Sequence, residues 1–235
     1  MKLIFIVFLI ILIIFLIYYI CYYSNLDKNI SKINLDKIDN LMIVAHPDDE
    51  TIWGGAHLIK DNYLVVCITC GRNRIRYHEL KRVMKETNNS FLALYYPDKT
   101  FGKRNDWSKS YNKIYNDLEK IIKLKKWDTI VSHNYSGEYG HIHHRLTNKI
   151  VTDIYNDLEL DNKLYFFGKY YTKKKIKYRP ASVYKIDKKT LNIKRDKMIK
   201  KYKSQKFIQK MFGHMFKYED WELYIKGDDK NDKKI

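Results

Sequence analysis

The sequence predicts an α/β fold, with a mainly parallel sheet flanked by helices. Two observations predict it. Short apolar runs rich in β-branched residues alternate with longer runs of helical periodicity, and the alternation continues from residue 41 to residue 158. Strands separated by helices in this way form right-handed βαβ units.

Each element has its own signature. "LMIVA" (41–45) is a short apolar run, as expected of a fully buried strand. Gly54 to Ile59 should start or form a short helix. "YLVVCIT" (63–69) reads as a second strand. Tyr77, Leu80, Val83 and Met84 have helical spacing over 76–87, and "FLALYY" (91–96) is a strand that stops at Pro97. Trp107, Tyr111, Ile114, Tyr115, Leu118, Ile121 and Ile122 share one face of the next helix. "DTIVSHN" (128–134) is a strand, and Leu146 to Leu158 line a helix over 144–158. Further on, "KLYFFG" and "SVYKI" read as strands, 194–212 as a helix, and 226–235 as a flexible tail.

The first residues differ from the rest. From Leu3 to Tyr23 the chain is unbroken apolar or aromatic, about the length that crosses a bilayer as a helix. Tyr18, Tyr19, Tyr22 and Tyr23 crowd one end, as an interfacial belt would. A cleaved signal peptide is the competing reading, but no small-residue cleavage site lies near Ser24. The expectation is therefore an uncleaved single-pass anchor over 1–24 and a polar linker over 25–39. Lys2 precedes the run, whereas Lys28, Lys32 and Lys37 follow it, which favours a cytosolic C-terminal domain. Cys21, Cys67 and Cys70 form no disulfide framework.

The net charge is +18, from 45 Lys and Arg against 27 Asp and Glu. Such a balance attracts nucleic acid or anionic membrane when it is clustered. Here the charge is spread along a Lys- and Asn-rich chain, so most of it reads as solvated surface and no nucleic-acid partner is expected. No feature of the chain sets an oligomeric state.

Two clusters carry chemistry. "AHPDDE" (45–50) follows the first strand, and "GEYGHIHHRL" (137–146) follows a later one. Open α/β sheets place their ligand sites at the carboxyl ends of strands, so the two clusters can meet. Three close carboxylates repel unless something cationic is bound. Two imidazoles and a carboxylate suit zinc, whose catalytic sites take three protein ligands and keep a position for water. Pro47 holds His46 extended. Of Asp48 and Asp49, one can ligate while the other faces the water and takes its proton. Of His141 and His144, spaced i, i+3, one can ligate while the other stabilises an oxyanion. His143 points elsewhere. Each cluster also has a plain structural reading, as a turn or helix cap and as satisfied surface histidines.

Together, "AHPDDE" and the downstream "GHIHH" resemble the N-acetylglucosaminylphosphatidylinositol de-N-acetylase family, PIG-L or LmbE-like, over roughly 41–160. The resemblance implies a Rossmann-like domain over 40–225 and zinc-dependent removal of acetyl from N-acetylglucosamine-type sugars. It implies His46, Asp49 and His144 as zinc ligands, Asp48 as general base and His141 as oxyanion stabiliser. Arg76 and Glu79 resemble the family's Arg-x-x-Glu element, which places Arg76 near the sugar, and Ser204-Gln205 resembles a C-terminal Ser-Gln element. The position before the last ligand is often Asp or Asn in relatives and is His143 here.

With an apolar N-terminus, the implied substrate is a lipid-linked one in glycosylphosphatidylinositol anchor synthesis, at the endoplasmic reticulum membrane. Lys103, Arg104 and Lys109 precede the long helix and could meet an inositol phosphate. Another N-acetylated glycan or a thiol-sugar conjugate is the alternative substrate. A membrane-tethered, non-enzymatic protein binding phosphoinositide or nucleic acid is the rival of a different class.

Overall fold

The computed structural model describes residues 2–180 and 184–227, with no side-chain description for 2, 3 and 17–25. Two compact units divide between Asp36 and Lys37. The first carries one helix, α1 (Lys2–Ile30), whose side chains from Ile4 to Leu16 are exposed. The membrane-crossing helix expected over Leu3–Tyr23 is not found: among the described residues, no helix is long and apolar enough to cross a membrane. The side chains of 17–25, which belong to that run, lie outside the described residues.

The second unit holds β1 (Asn40–Val44), α2 (Asp49–Lys60), β2 (Tyr63–Thr69), α3 (Arg74–Thr87) and β3 (Ser90–Tyr96). A small hairpin, β4 (Lys99–Thr100) and β5 (Lys103–Arg104), precedes α4 (Tyr111–Ile122) and β6 (Thr129–Ser132). Then come α5 (Gly137–Gly140), α6 (Ile142–Asp157), β7 (Lys163–Phe167), α7 (Lys188–Ile193), α8 (Phe207–Phe212) and β8 (Trp221–Leu223).

The main sheet has the order β3-β2-β1-β6-β7-β8. All pairs are parallel except β7 with β8, so the mainly parallel α/β sheet expected from the alternation is present. β1 and β2 are buried almost throughout, because helices cover both faces of a parallel sheet. Met42, Val65 and Val131 meet Leu58, Leu80, Met84 and Phe212 in one continuous core. The chain runs outward from β1 to β3, then crosses to β6 on the other side of β1. The switch point therefore lies between the carboxyl ends of β1 and β6, which is where such sheets bind ligands.

Several elements differ from the sequence reading, each for a local reason. The first helix starts at Asp49, inside the motif, because the Asp48 carbonyl already accepts from Thr51 and Ile52. Trp107 does not sit on α4. It precedes the helix at φ 56°, fully buried, with its indole Nε1–H donating to the Pro97 carbonyl. The helix expected over 194–212 is broken into a π turn at Lys194–Met198, two 3₁₀ turns and α8. Two anchors divide it: the Tyr202 hydroxyl donates to Glu50, and Ser204 donates through both N–H and Oγ to Glu79, at 2.7 and 2.6 Å. Of the expected strand "SVYKI" (182–186), Ser182 and Val183 lie outside the described residues, and Lys185 makes a single bridge to Tyr218. Most of the tail, 228–235, also lies outside them.

One ion pair ties the C-terminal part to α2. Lys194 is fully buried, and its Nζ donates to Glu219 at 2.5 Å and to the Ile52 carbonyl at 2.8 Å. Glu219 also accepts from the Ala56 amide at 2.8 Å. Gly55 leaves room for the lysine stem, which lies 3.1 Å from where a Cβ would stand. Burial pulls the Lys194 ammonium below its usual range, and Glu219 opposes this. Lys194→Met would strand a buried carboxylate, with an expected loss of about 3–5 kcal/mol of stability. Urea unfolding checks this, and an unchanged midpoint would contradict it.

Candidate metal centre

Both motifs arrive at the switch point. His46, Asp48, Asp49, Arg76 and His141 line one cavity of about 480 Å³, and His144 is fully buried beside them. All six residues singled out from the sequence are thus brought together. A larger cavity, about 860 Å³, is lined by residues at the amino ends of the strands, such as Asn40, Tyr63 and Thr129, and by none of the motif residues.

The first motif is a held turn. Asp48 has φ 127°, a conformation that costs a non-glycine residue strain. Three contacts hold it. Its amide donates to Glu50 at 2.9 Å, Arg76 Nη2 lies 3.3 Å from its carboxylate, and the same nitrogen donates to the Pro47 carbonyl. Glu50 is in turn fixed by Thr51 Oγ1 at 2.5 Å and by Tyr202. The result points Asp48 into the cavity and lets Asp49 open α2, where its carboxylate accepts from the His46 amide at 2.8 Å. A carboxylate in the first turn of a helix is favoured by the exposed amides there.

Asp49 is shared by two imidazoles. Its Oδ2 lies 3.3 Å from His46 Nδ1, and its Oδ1 lies 3.3 Å from His144 Nε2. A tetrahedral ion with bonds of about 2.1 Å sets its donors roughly 3.4 Å apart. Each pair spacing is of this order, the two falling on different oxygens of Asp49, and Asp49, His133 and His144 present donor atoms within 4.8 Å of one another. His46, His141 and His144 also present ring nitrogens within 4.8 Å of one another.

Tautomers support the same donors. His143 Nε2 lies 2.6 Å from the Asn105 carbonyl, an acceptor only, so that nitrogen carries the proton. Its Nδ1 is then bare and accepts from His46 Nε2 at 3.0 Å. His46 Nδ1 is consequently the bare nitrogen, and it faces Asp49. Trp107 stacks on His143, with ring centres 4.1 Å apart and planes at 6°, which fixes the ring. His143, unplaced by the sequence, thus orients His46. Asp98 assists: its Oδ1 lies 3.2 Å from His46 Nε2 and pairs with Arg104.

Behind His144 stands Glu138. Its Oε2 accepts from His144 Nδ1 and, at 3.1 Å, from His133 Nδ1, while its Oε1 accepts from the Asn134 amide at 3.0 Å. His133 Nε2 is used by the Ala45 amide at 3.0 Å. His144 Nε2 is buried and, among the described residues, has no hydrogen-bond partner. An orphaned buried nitrogen aimed at a carboxylate needs a proton or a metal ion.

Electrostatics follow. Burial alone would lower His144, but Asp49 and Glu138 outweigh it and raise the ring to about 10. Burial would raise Asp49, yet His144 and the other imidazoles hold it well below the usual carboxylate range. Asp48 goes the other way: burial raises it, and Arg76 opposes. Burial lowers His46 to about 4, against the pull of Asp49. Burial, with His144 and His46 nearby, lowers His141 to about 2, which makes it a neutral imidazole.

His133, Glu138, Asp98 and Trp107 were missed by sequence reasoning. Only position could have found His133 and Asp98, since each follows a strand end. Glu79 is buried and holds Ser204, away from the cavity side of Arg76.

The fold and the cluster define an α/β domain with a buried His/Asp metal-type site at its switch point. Residues 41–155 match the family described as PIG-L, GlcNAc-PI de-N-acetylase. An uncharacterized protein of Acanthamoeba polyphaga mimivirus is 32% identical over 135 residues, covering 50% of this chain. The match spans 58% of the length of that relative. The crystal structure of an antimicrobial-reagent pseudoaglycone deacetylase superposes with a TM-score of 0.52 at 15% identity, covering 74% of this chain and 85% of that one. A 4-carboxy-2-hydroxymuconate hydratase from Pseudomonas putida gives 0.56 at 14%, covering 76% and 84%. At these identities the likeness is one of fold.

Glu138→Ala removes the acceptor shared by His133, His144 and the Asn134 amide. It is expected to cost roughly 3–5 kcal/mol, read from urea unfolding of chelator-treated protein. Wild-type stability in this variant would contradict the second-layer role of Glu138.

Proposed function

We propose that the chain is a zinc-dependent de-N-acetylase that hydrolyses the acetamide of an N-acetylglucosamine unit. The observation that carries this is the orphaned His144 Nε2, buried 3.3 Å from an Asp49 carboxylate that also faces the bare nitrogen of His46. The family match over 41–155 supports the substrate class. Zinc bound by His46, Asp49 and His144 would polarise the amide carbonyl and acidify the attacking water.

The remaining chemistry belongs to the chain. Asp48 accepts the proton of the attacking water and later delivers one to the leaving amine, releasing acetate and a free glucosamine. Arg76, 3.3 Å away, favours its ionised form and holds its direction. His141 lines the cavity as a neutral imidazole, with a ring N–H to donate to the developing oxyanion. Arg76 also lines the cavity and is the proposed contact to the sugar.

The favoured substrate is N-acetylglucosaminylphosphatidylinositol in glycosylphosphatidylinositol anchor synthesis. The apolar run Leu3–Tyr23 supports it, as a tether at the endoplasmic reticulum membrane with the domain in the cytosol. A screen of purified protein against lipid-linked and free N-acetylglucosamine compounds tests this choice. Turnover of the free sugar alone would move the proposal to another glycan.

Asp48→Asn should retain metal and lose about 10²–10⁴-fold in kcat. Full activity in that variant would overturn the base assignment. His144→Ala should lose both metal and activity, read by metal analysis of the purified protein. His143→Ala frees the His46 tautomer and should weaken metal binding by roughly 10–100-fold in a competition titration.

A further inference from the structure

We propose that the mouth of the cavity is a docking surface for an anionic lipid bilayer. Three elements form that mouth: the start of α3 contributes Asn73 and Arg76, the β4–β5 hairpin contributes Lys99 and Arg104, and the segment entering α8 contributes Gln205 and Phe207. Each carries a large apolar side chain that the fold leaves outside. Ile75 on α3 is 64% exposed, Phe101 at the hairpin tip is fully exposed, and Phe207 on α8 is 53% exposed. Met211, one turn further along α8, is 40% exposed.

The hairpin makes the case most directly. Its two turn residues, Phe101 and Gly102, have φ 50° and 79°, the left-handed pair of a tight hairpin turn. Such positions favour Asn, Asp or Gly, and an aromatic there is strained. Open space surrounds Gly102, so the fold gains no packing at the tip. An aromatic ring held outward at a conformational cost fits a contact outside the chain.

Charge identifies that contact. Arg74, Lys99, Lys103, Lys203, Lys206 and Lys210 are all exposed on the same three elements. Against them stand Asp98, paired with Arg104, and the exposed Asp106. Apolar tips within a ring of cations match a bilayer surface: the tips enter the headgroup–acyl boundary, and the cations meet anionic headgroups. A protein partner would be expected to cover a contiguous apolar area, whereas these side chains stand on three separate tips. Docked in this way, the mouth opens onto the lipid surface.

The test uses the full chain carrying Phe101→Trp, with wild type as baseline for the four native tryptophans. Vesicles contain brominated phosphatidylcholine, with or without one-third phosphatidylserine. The variant should show quenching above wild type on the anionic vesicles. Adding Lys99→Glu and Lys103→Glu, or 0.5 M salt, should lower the partitioning behind it roughly tenfold. A tether through the N-terminal helix alone would leave the hairpin probe unquenched and would overturn the proposal. Equal quenching on neutral vesicles would overturn the role of the cations. A concentration-dependent shift without vesicles would assign the face to a second copy and overturn the lipid. Partitioning is read without turnover, so this proposal and the deacetylase reading fail separately.

Discussion

The site depends on one buried carboxylate shared by two imidazoles. Asp49 lies 3.3 Å from His46 Nδ1 on one side and 3.3 Å from His144 Nε2 on the other. Neither imidazole could hold this position alone. His46 is aligned by His143, which the Asn105 carbonyl and Trp107 fix in turn. His144 is aligned by Glu138, which is itself held at the end of β6 by Asn134 and His133. Ligand orientation by such outer partners tunes metal affinity. Here the partners come from both sides of the switch point.

The same economy explains the strained Asp48. The residue before a helix is ordinarily extended, whereas Asp48 stands at φ 127°. Glu50 and Arg76 stabilise that turn from opposite sides, and Tyr202 ties Glu50 to the C-terminal segment. The last third of the domain therefore supports the first motif, although it carries none of the proposed chemistry.

Much of this was legible in the residues. The alternation of apolar and helical runs placed the parallel strands, because buried strands have little freedom of composition. "AHPDDE" and "GHIHH" placed five of the six proposed site residues at the carboxyl edge of the sheet, because the spacing of motifs after strands is a topological signal, and the Arg-x-x-Glu resemblance added Arg76. What was hidden depends on contacts far apart in sequence. The stacking of Trp107 on His143 has no local pattern, and the double use of Glu138, though its partners lie within six residues, depends on the irregular turn before α6. The helix expected over 194–212 failed because propensity does not register Glu50 and Glu79 pulling on Tyr202 and Ser204. The apolar N-terminal run was read from composition alone, and part of it lies outside the described residues.

The central claim is that His46, Asp49 and His144 share one divalent ion. Anomalous diffraction from a crystal, recorded on both sides of the zinc absorption edge, tests it most directly. A single peak bounded by His46 Nδ1, the Asp49 carboxylate and His144 Nε2 is the expected result. A peak among His46 Nε2, Asp98 and His143 Nδ1, a second cluster that includes His46, would contradict it, as would no peak in zinc-supplied crystals.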